Sequence, residues 1–151
     1  MVSRRQRIKV VFDTNVFVRA LKTRSKASAN QRVFRLWLLE KRLQLAACAD
    51  LIDEYLGVFR DALRLKEKLL AAWHRRWTAD SRTTVVNLGL RFTQSRGTDD
   101  NLLLATALAG RAAFVITNDR DLLELPLDVS GLLAFKVVTP FALLPEMERG
   151  V

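Results

Sequence analysis

The sequence predicts a single α/β domain, residues 1–151, built around a mainly parallel sheet. Three observations carry this. Short β-branched and aromatic runs alternate with longer segments of helical period. The short runs are mostly apolar and do not alternate, as in strands covered on both faces. The chain has 151 residues, half of them apolar and 27% charged, a length and mixture suited to one packed core.

Taken in order, Ile8 to Phe12 reads as a strand that ends at Asp13. Asp13, Thr14 and Asn15 offer capping side chains to a helix carrying Val16, Phe17, Val18 and Leu21. Ser28 to Arg42 predicts a second helix with Val33, Leu36 and Trp37 inward, and Leu43 to Ala47 a second strand. From Asp50, apolar residues recur at Leu51, Tyr55, Val58, Phe59 and Ala62, steps of three and four that define a helix face. Arg64 to Trp77 reads as a further helix, with Leu69, Leu70, Trp73 and Trp77 inward. Thr84 to Leu88 is a strand, and Asp99 to Ala109 a helix with Leu103, Leu104, Ala107 and Leu108 on one side and Gly110 at its end. Phe114 to Thr117 is the best strand in the chain. Phe135 to Thr139 is the last, stopped by Pro140. Trp37, Trp73 and Trp77 sit on apolar stripes, which places them in the core.

Composition removes several classes of chemistry. No window approaches the ~18–20 uncharged apolar residues of a bilayer helix. The basic start leads into only Val10, Val11 and Phe12 before Asp13, too short for a signal peptide, so the chain is expected in the cytoplasm. A lone cysteine, Cys48, and a lone histidine, His74, exclude an internal disulfide and the usual zinc sites. A catalytic Cys48–His74 pair is less plausible than a buried thiol and a surface imidazole. No glycine-rich phosphate loop or serine elbow is present. The net charge of +9 is uneven. Residues 1–40 hold ten basic against two acidic side chains, while residues 99–151 hold four against eight. The basic surplus favours a polyanion such as nucleic acid.

Two of the best strands end in the same chemistry. Phe12 is followed by Asp13, and Ile116 by Thr117-Asn118-Asp119-Arg120-Asp121. If both strands are central and parallel, Asp13 and Asp119 meet at one edge of the sheet, where ligands bind in such folds. Asp100 opens the helix before the second of these strands, and Glu54 lies near the inward side of its own helix. Each carboxylate alone reads equally as a helix cap or a solvated charge. Together in one cleft they would repel one another and raise each other's pKa, a penalty that a hard divalent cation such as Mg²⁺ or Mn²⁺ removes.

These segments also carry a family resemblance. Val11-Phe12-Asp13-Thr14-Asn15-Val16 resembles the opening motif of the PIN-domain nucleases, and Leu51-Ile52-Asp53-Glu54-Tyr55-Leu56 their second acidic helix. Asp100-Asn101 with Leu104 to Leu108, and Val115 to Leu123, are similar to the third and fourth motifs. Any one motif is weak; the ordered set across about residues 8–140 is strong. The chain most resembles the VapC-like branch of toxins from toxin–antitoxin systems. The resemblance implies a PIN-like, Rossmann-like sheet flanked by helices, and Mg²⁺- or Mn²⁺-dependent endoribonuclease activity that hydrolyses RNA phosphodiesters with metal-activated water. It also implies Asp13, Glu54, Asp100 and Asp119 as catalytic and metal-binding residues, a homodimer and a small antitoxin partner. Asn15 and Thr117, and less directly Asp121, would orient that quartet by hydrogen bonds. Asp99 and Asp100 compete for the third position; register with Asn101 and Leu104 favours Asp100.

Arg60, Arg64, Lys68 and Arg75 read as one helical stripe that could follow an RNA backbone, or as a solvated face. Two other functions fit the fold class. A Mg²⁺-dependent receiver or phosphotransfer domain would want an acidic pair after the first strand, where this chain has Asp13-Thr14-Asn15. A noncatalytic RNA-binding module of the same fold would not need all four carboxylates.

Overall fold

The computed structural model describes residues 7–88, 99–125 and 133–148, with the backbone alone at 99–101. Five strands form one sheet in the order β3-β2-β1-β4-β5, with every neighbouring pair parallel. They are β1 (Ile8–Phe12), β2 (Leu43–Ala47), β3 (Thr83–Val85), β4 (Phe114–Ile116) and β5 (Lys136–Val138). Seven described helices accompany them: α1 (Thr14–Lys22), α2 (Ala29–Leu38), α3 (Ala49–Asp61), α4 (Glu67–Thr78), α5 (Asp99–Gly110), α6 (Arg120–Leu123) and α7 (Pro140–Glu148). The chain builds outward from β1 to β3, then returns to lay β4 and β5 on the other side. The reversal falls between β1 and β4, the switch point where a crevice opens beyond the strand ends.

Phe17 of α1 is the hub of the core. Its ring meets Phe12, Trp37, Tyr55, Phe59 and Trp77 edge-on, with centroids 4.8–5.8 Å away. Such geometry sets the positive ring edge against a negative ring face. Trp37, Trp73 and Trp77 are all buried, as their stripes predict. The Trp37 indole donates to the Arg82 carbonyl at 3.0 Å, whereas the buried Trp77 Nε1 has no partner among the described residues. Helix α5 packs on β1, β2 and β4. Its last residue, Gly110, leaves room where a Cβ would sit 3.0 Å from Ala46 and 3.1 Å from Val86. Among the described residues, no helix is long and apolar enough to cross a membrane.

Several boundaries depart from the expectations above, for a common reason. Lys41, Arg64 and Arg111 adopt left-handed φ values of 52–54° just past α2, α3 and α5. This conformation is usual for glycine at a helix end and uncommon for other residues. Helix α2 therefore stops at Leu38 and not near Arg42, and the Arg42 amide reaches back to the Leu36 carbonyl at 2.8 Å. Likewise the expected helix from Arg64 splits off: α3 ends at Asp61, Arg64 sits in the turn, and α4 begins at Glu67. Leu69 and Leu108, expected inward, are 51% and 62% exposed, because each lies about 100° around its helix from the buried Leu70 and Ala107. Pro140 ends β5 as expected, but it also starts α7, with the Thr139 hydroxyl accepting from the Ala142 amide at 3.0 Å.

Candidate active site at the sheet switch point

Asp13 is the first residue beyond β1. Its amide donates to the Ile116 carbonyl at 2.9 Å, which ties the end of β1 to β4. Asp13 occupies the N-cap position of α1, yet its carboxylate makes no capping hydrogen bond. It instead accepts from the Thr117 hydroxyl at 2.6 Å. That hydroxyl in turn accepts from the Asp119 amide at 2.9 Å, so a single buried side chain fixes both acidic positions. Asp119 caps α6, its carboxylate accepting from the Asp121 amide at 2.9 Å. Asp121 thus acts through its backbone, and its side chain is exposed.

Glu54 reaches the same place from α3, where its Oε2 accepts from the Thr14 hydroxyl at 2.8 Å. The neighbouring Tyr55 points the other way into the core, and its hydroxyl donates to the Phe12 carbonyl. Residue pairing between β1 and β2 ends at Val10 and Leu45, so this phenol anchors the strand end that carries Asp13. Asn15 accepts from the amide and side chain of Asn118 at 3.4 and 3.3 Å, and Asn118 also donates to Asn30 at 2.9 Å. These amides join α1, the start of α2 and the loop after β4.

Asp13, Thr14, Asn15, Val18, Glu54, Val58, Ala62 and Asp119 line one cleft of about 410 Å³. The Asp13 carboxyl is held above its ordinary range, chiefly by burial. The Thr117 hydroxyl and the amides of Thr14 and Asn15 pull it down, and the charge of Asp119 pushes it up. Burial also raises Tyr55 well above the usual phenol range, with the Asp13 and Glu54 charges adding to it. Among the described residues no lysine or arginine pairs with Asp13 or Asp119; the ion pairs are Arg60–Glu67 and Arg82–Asp80.

The donor chemistry fits a hard divalent cation. Three carboxylates converge from three elements with neither histidine nor cysteine among the lining residues. Among the described residues they do not close into a cluster able to enclose an ion unaided. The side chains of Asp99 and Asp100 lie outside the described residues; their backbone opens α5.

The basic stripe is corrected. Arg60 belongs to α3 and pairs with Glu67 at 3.8 Å, Arg64 sits in the left-handed turn, and only Lys68 and Arg75 share α4. None of the four lines the acidic cleft. Sequence reasoning passed over Thr14, Tyr55 and Asn118. Thr14 was visible only as a cap beside Asp13, and Tyr55 only as one more apolar-stripe residue.

The PIN domain family model matches residues 9–121, which takes in most of β1, all of β2, β3 and β4, and Asp13, Glu54, Asp100 and Asp119. The chain belongs to the PIN-domain family. PIN domains are in general nucleases and generally use divalent metal ions. No curated protein matches the chain. Among solved structures it is similar to a chain of VapBC2 from Rickettsia felis, crystallised with a DNA fragment from their promoter. The two are 16% identical with a TM-score of 0.53, over 87% of this chain and 98% of that one. At this identity the likeness speaks for the fold.

Proposed function

We propose that this protein is a Mg²⁺- or Mn²⁺-dependent endoribonuclease and the toxin of a toxin–antitoxin pair, acting in the cytoplasm as a homodimer. One observation carries the reading: Asp13, Glu54 and Asp119 line one cleft at the sheet switch point of a PIN domain, with no cation of the chain paired to Asp13 or Asp119 among the described residues. The VapBC2 neighbour supports a small antitoxin partner, and the basic N-terminal half supports RNA as the polyanion.

In this reading Asp13, Glu54, Asp100 and Asp119 would hold the ion, Asp13 and Asp100 being the primary ligands. When bound, such an ion offsets charge on phosphoryl oxygens and lowers the pKa of water. The chain's own residues set the geometry. Thr117 restrains Asp13 through its hydroxyl and Asp119 through that residue's amide, and Thr14 restrains Glu54. Asn15 holds the Asn118 loop against α1. Preorganisation of this kind matters because a displacement of about 1 Å can cost on the order of 100-fold in rate.

Purified protein should cleave RNA with Mg²⁺ or Mn²⁺ and lose that activity in EDTA. Asp100→Asn should abolish cleavage, whereas Asp99→Asn should retain it. The converse pattern would move the third ligand by one residue, and undiminished cleavage after complete chelation would overturn the metal mechanism.

A further inference from the structure

The α1–α3 wall of the cleft continues beyond the carboxylates in a regular ladder. Thr14 of α1 is bonded to Glu54 of α3. Four residues on in each helix, Val18 and Val58 both line the cleft. Four further on come Lys22 and Ala62, the latter also lining it. At ~100° per residue, Lys22 projects between Asn15 and Val18, and so lies on the cleft face of α1, about 10 Å along the axis from Asn15. Lys22 is exposed and makes no ion pair among the described residues. Arg19, also exposed, flanks the same face one turn beyond Asn15. The cleft thus runs from an acidic end, past an apolar pair and a small alanine, to a cationic rim.

We propose that this wall is the track for the nucleotide next to the scissile phosphate in an unpaired RNA strand. A base lies against Val18 and Val58, and Lys22 takes the neighbouring phosphate. The order of chemistry along the cleft matches that of a polynucleotide, whose apolar faces alternate with phosphates. A single strand is required because the apolar rung can meet a base face only when that base is unpaired. Lys22 replaces the Arg60–Arg64–Lys68–Arg75 stripe, which the fold divides between two helices. The assignment rests on the nuclease reading, which it deepens.

The test has two parts with one labelled single-stranded RNA: steady-state cleavage in Mn²⁺, and anisotropy binding in EDTA. Lys22→Gln should raise KM and Kd about five- to tenfold with kcat within about twofold. It should also reduce the slope of log affinity against log salt by about 0.7, the value for one phosphate contact on a single strand. Ala62→Glu, at an exposed position, should weaken binding at least as much by placing a carboxylate beside the track. Lys68→Gln, away from the cleft, should match wild type in both. Wild-type affinity and salt slope in Lys22→Gln and Ala62→Glu would overturn the track, whether or not those variants lose a protein partner. If the wild type cleaves nothing, the nuclease reading fails, while the anisotropy comparison still decides the track.

Discussion

Replacing Thr117 by valine keeps the shape of a fully buried side chain and removes only its hydroxyl. Two hydrogen bonds go with it: the 2.6 Å donation to the Asp13 carboxylate and the 2.9 Å acceptance from the Asp119 amide. A hydrogen bond to a charged group contributes about 1.5–3 kcal/mol net. The Asp119 amide, at a half-buried residue, recovers part of its loss from water. The expected cost is therefore about 2 kcal/mol. For a domain of this size 1 kcal/mol moves Tm by about 2–4 °C, so metal-free Thr117→Val should melt about 4–8 °C lower. Cleavage should fall more steeply than stability, because the same hydroxyl restrains two of the acidic positions. Thr117→Ser retains the hydroxyl and should recover most of the activity. Thermal denaturation by circular dichroism, alongside RNA cleavage well below Tm, reads both effects. A Tm within about 1 °C of wild type with normal cleavage would refute the role given to this side chain.

Asp13→Asn tests the electrostatics of the cleft. Burial raises the folded-state pKa of Asp13 above the ordinary carboxyl value of 3.8, so between 3.8 and that raised value the folded state binds more protons than the unfolded chain. Stability in the absence of metal should thus decline as pH rises through that window, and Asp13→Asn should remove the decline and melt no lower than wild type at neutral pH. Urea melts across acidic pH check this, and an identical pH dependence in the two proteins would contradict it. Tyr55→Phe removes the phenol that anchors the Phe12 carbonyl while keeping the ring against Phe17 and Trp77. It should cost about 1–3 kcal/mol in chemical denaturation for the buried carbonyl left unmatched. Arg111→Gly should raise Tm, since Arg111 sits at φ 54° and a left-handed conformation costs a non-glycine residue about 1 kcal/mol or more; a lower Tm would show that its side chain has a compensating contact.

The parts of the fold that were readable in the sequence are those where local pattern and tertiary packing agree. β1 and β2 fall on the residues their β-branched and apolar runs mark, because a strand covered on both faces has no competing pattern. Asp13 and Asp119 follow from the same logic, since one comes directly after a readable central strand and the other in the short loop that follows another. Gly110 marks the end of α5, but the helix ends at Lys41 and Arg64 were not legible. No glycine marks them, and the left-handed turns are enforced by backbone hydrogen bonds such as the Leu65 amide to the Phe59 carbonyl at 3.2 Å. The turn at Arg64 also breaks the regular spacing of Arg60, Arg64, Lys68 and Arg75, which reads as one helical stripe only if no turn intervenes. The bonds of Thr14 to Glu54 and of Thr117 to Asp13 span 40 and 104 residues. Spacing along the chain carries no trace of such pairings; they appear only once the sheet order brings the strand ends together.

The central claim is that the cleft carboxylates form a divalent-cation site, and calorimetric titration of Mn²⁺ into the metal-free protein measures it most directly. The account predicts saturable binding by the wild type and its loss in both Asp13→Asn and Asp119→Asn, with the fold of each variant intact by circular dichroism. Absence of Mn²⁺ binding in the folded wild type, or undiminished binding in both variants, would contradict it.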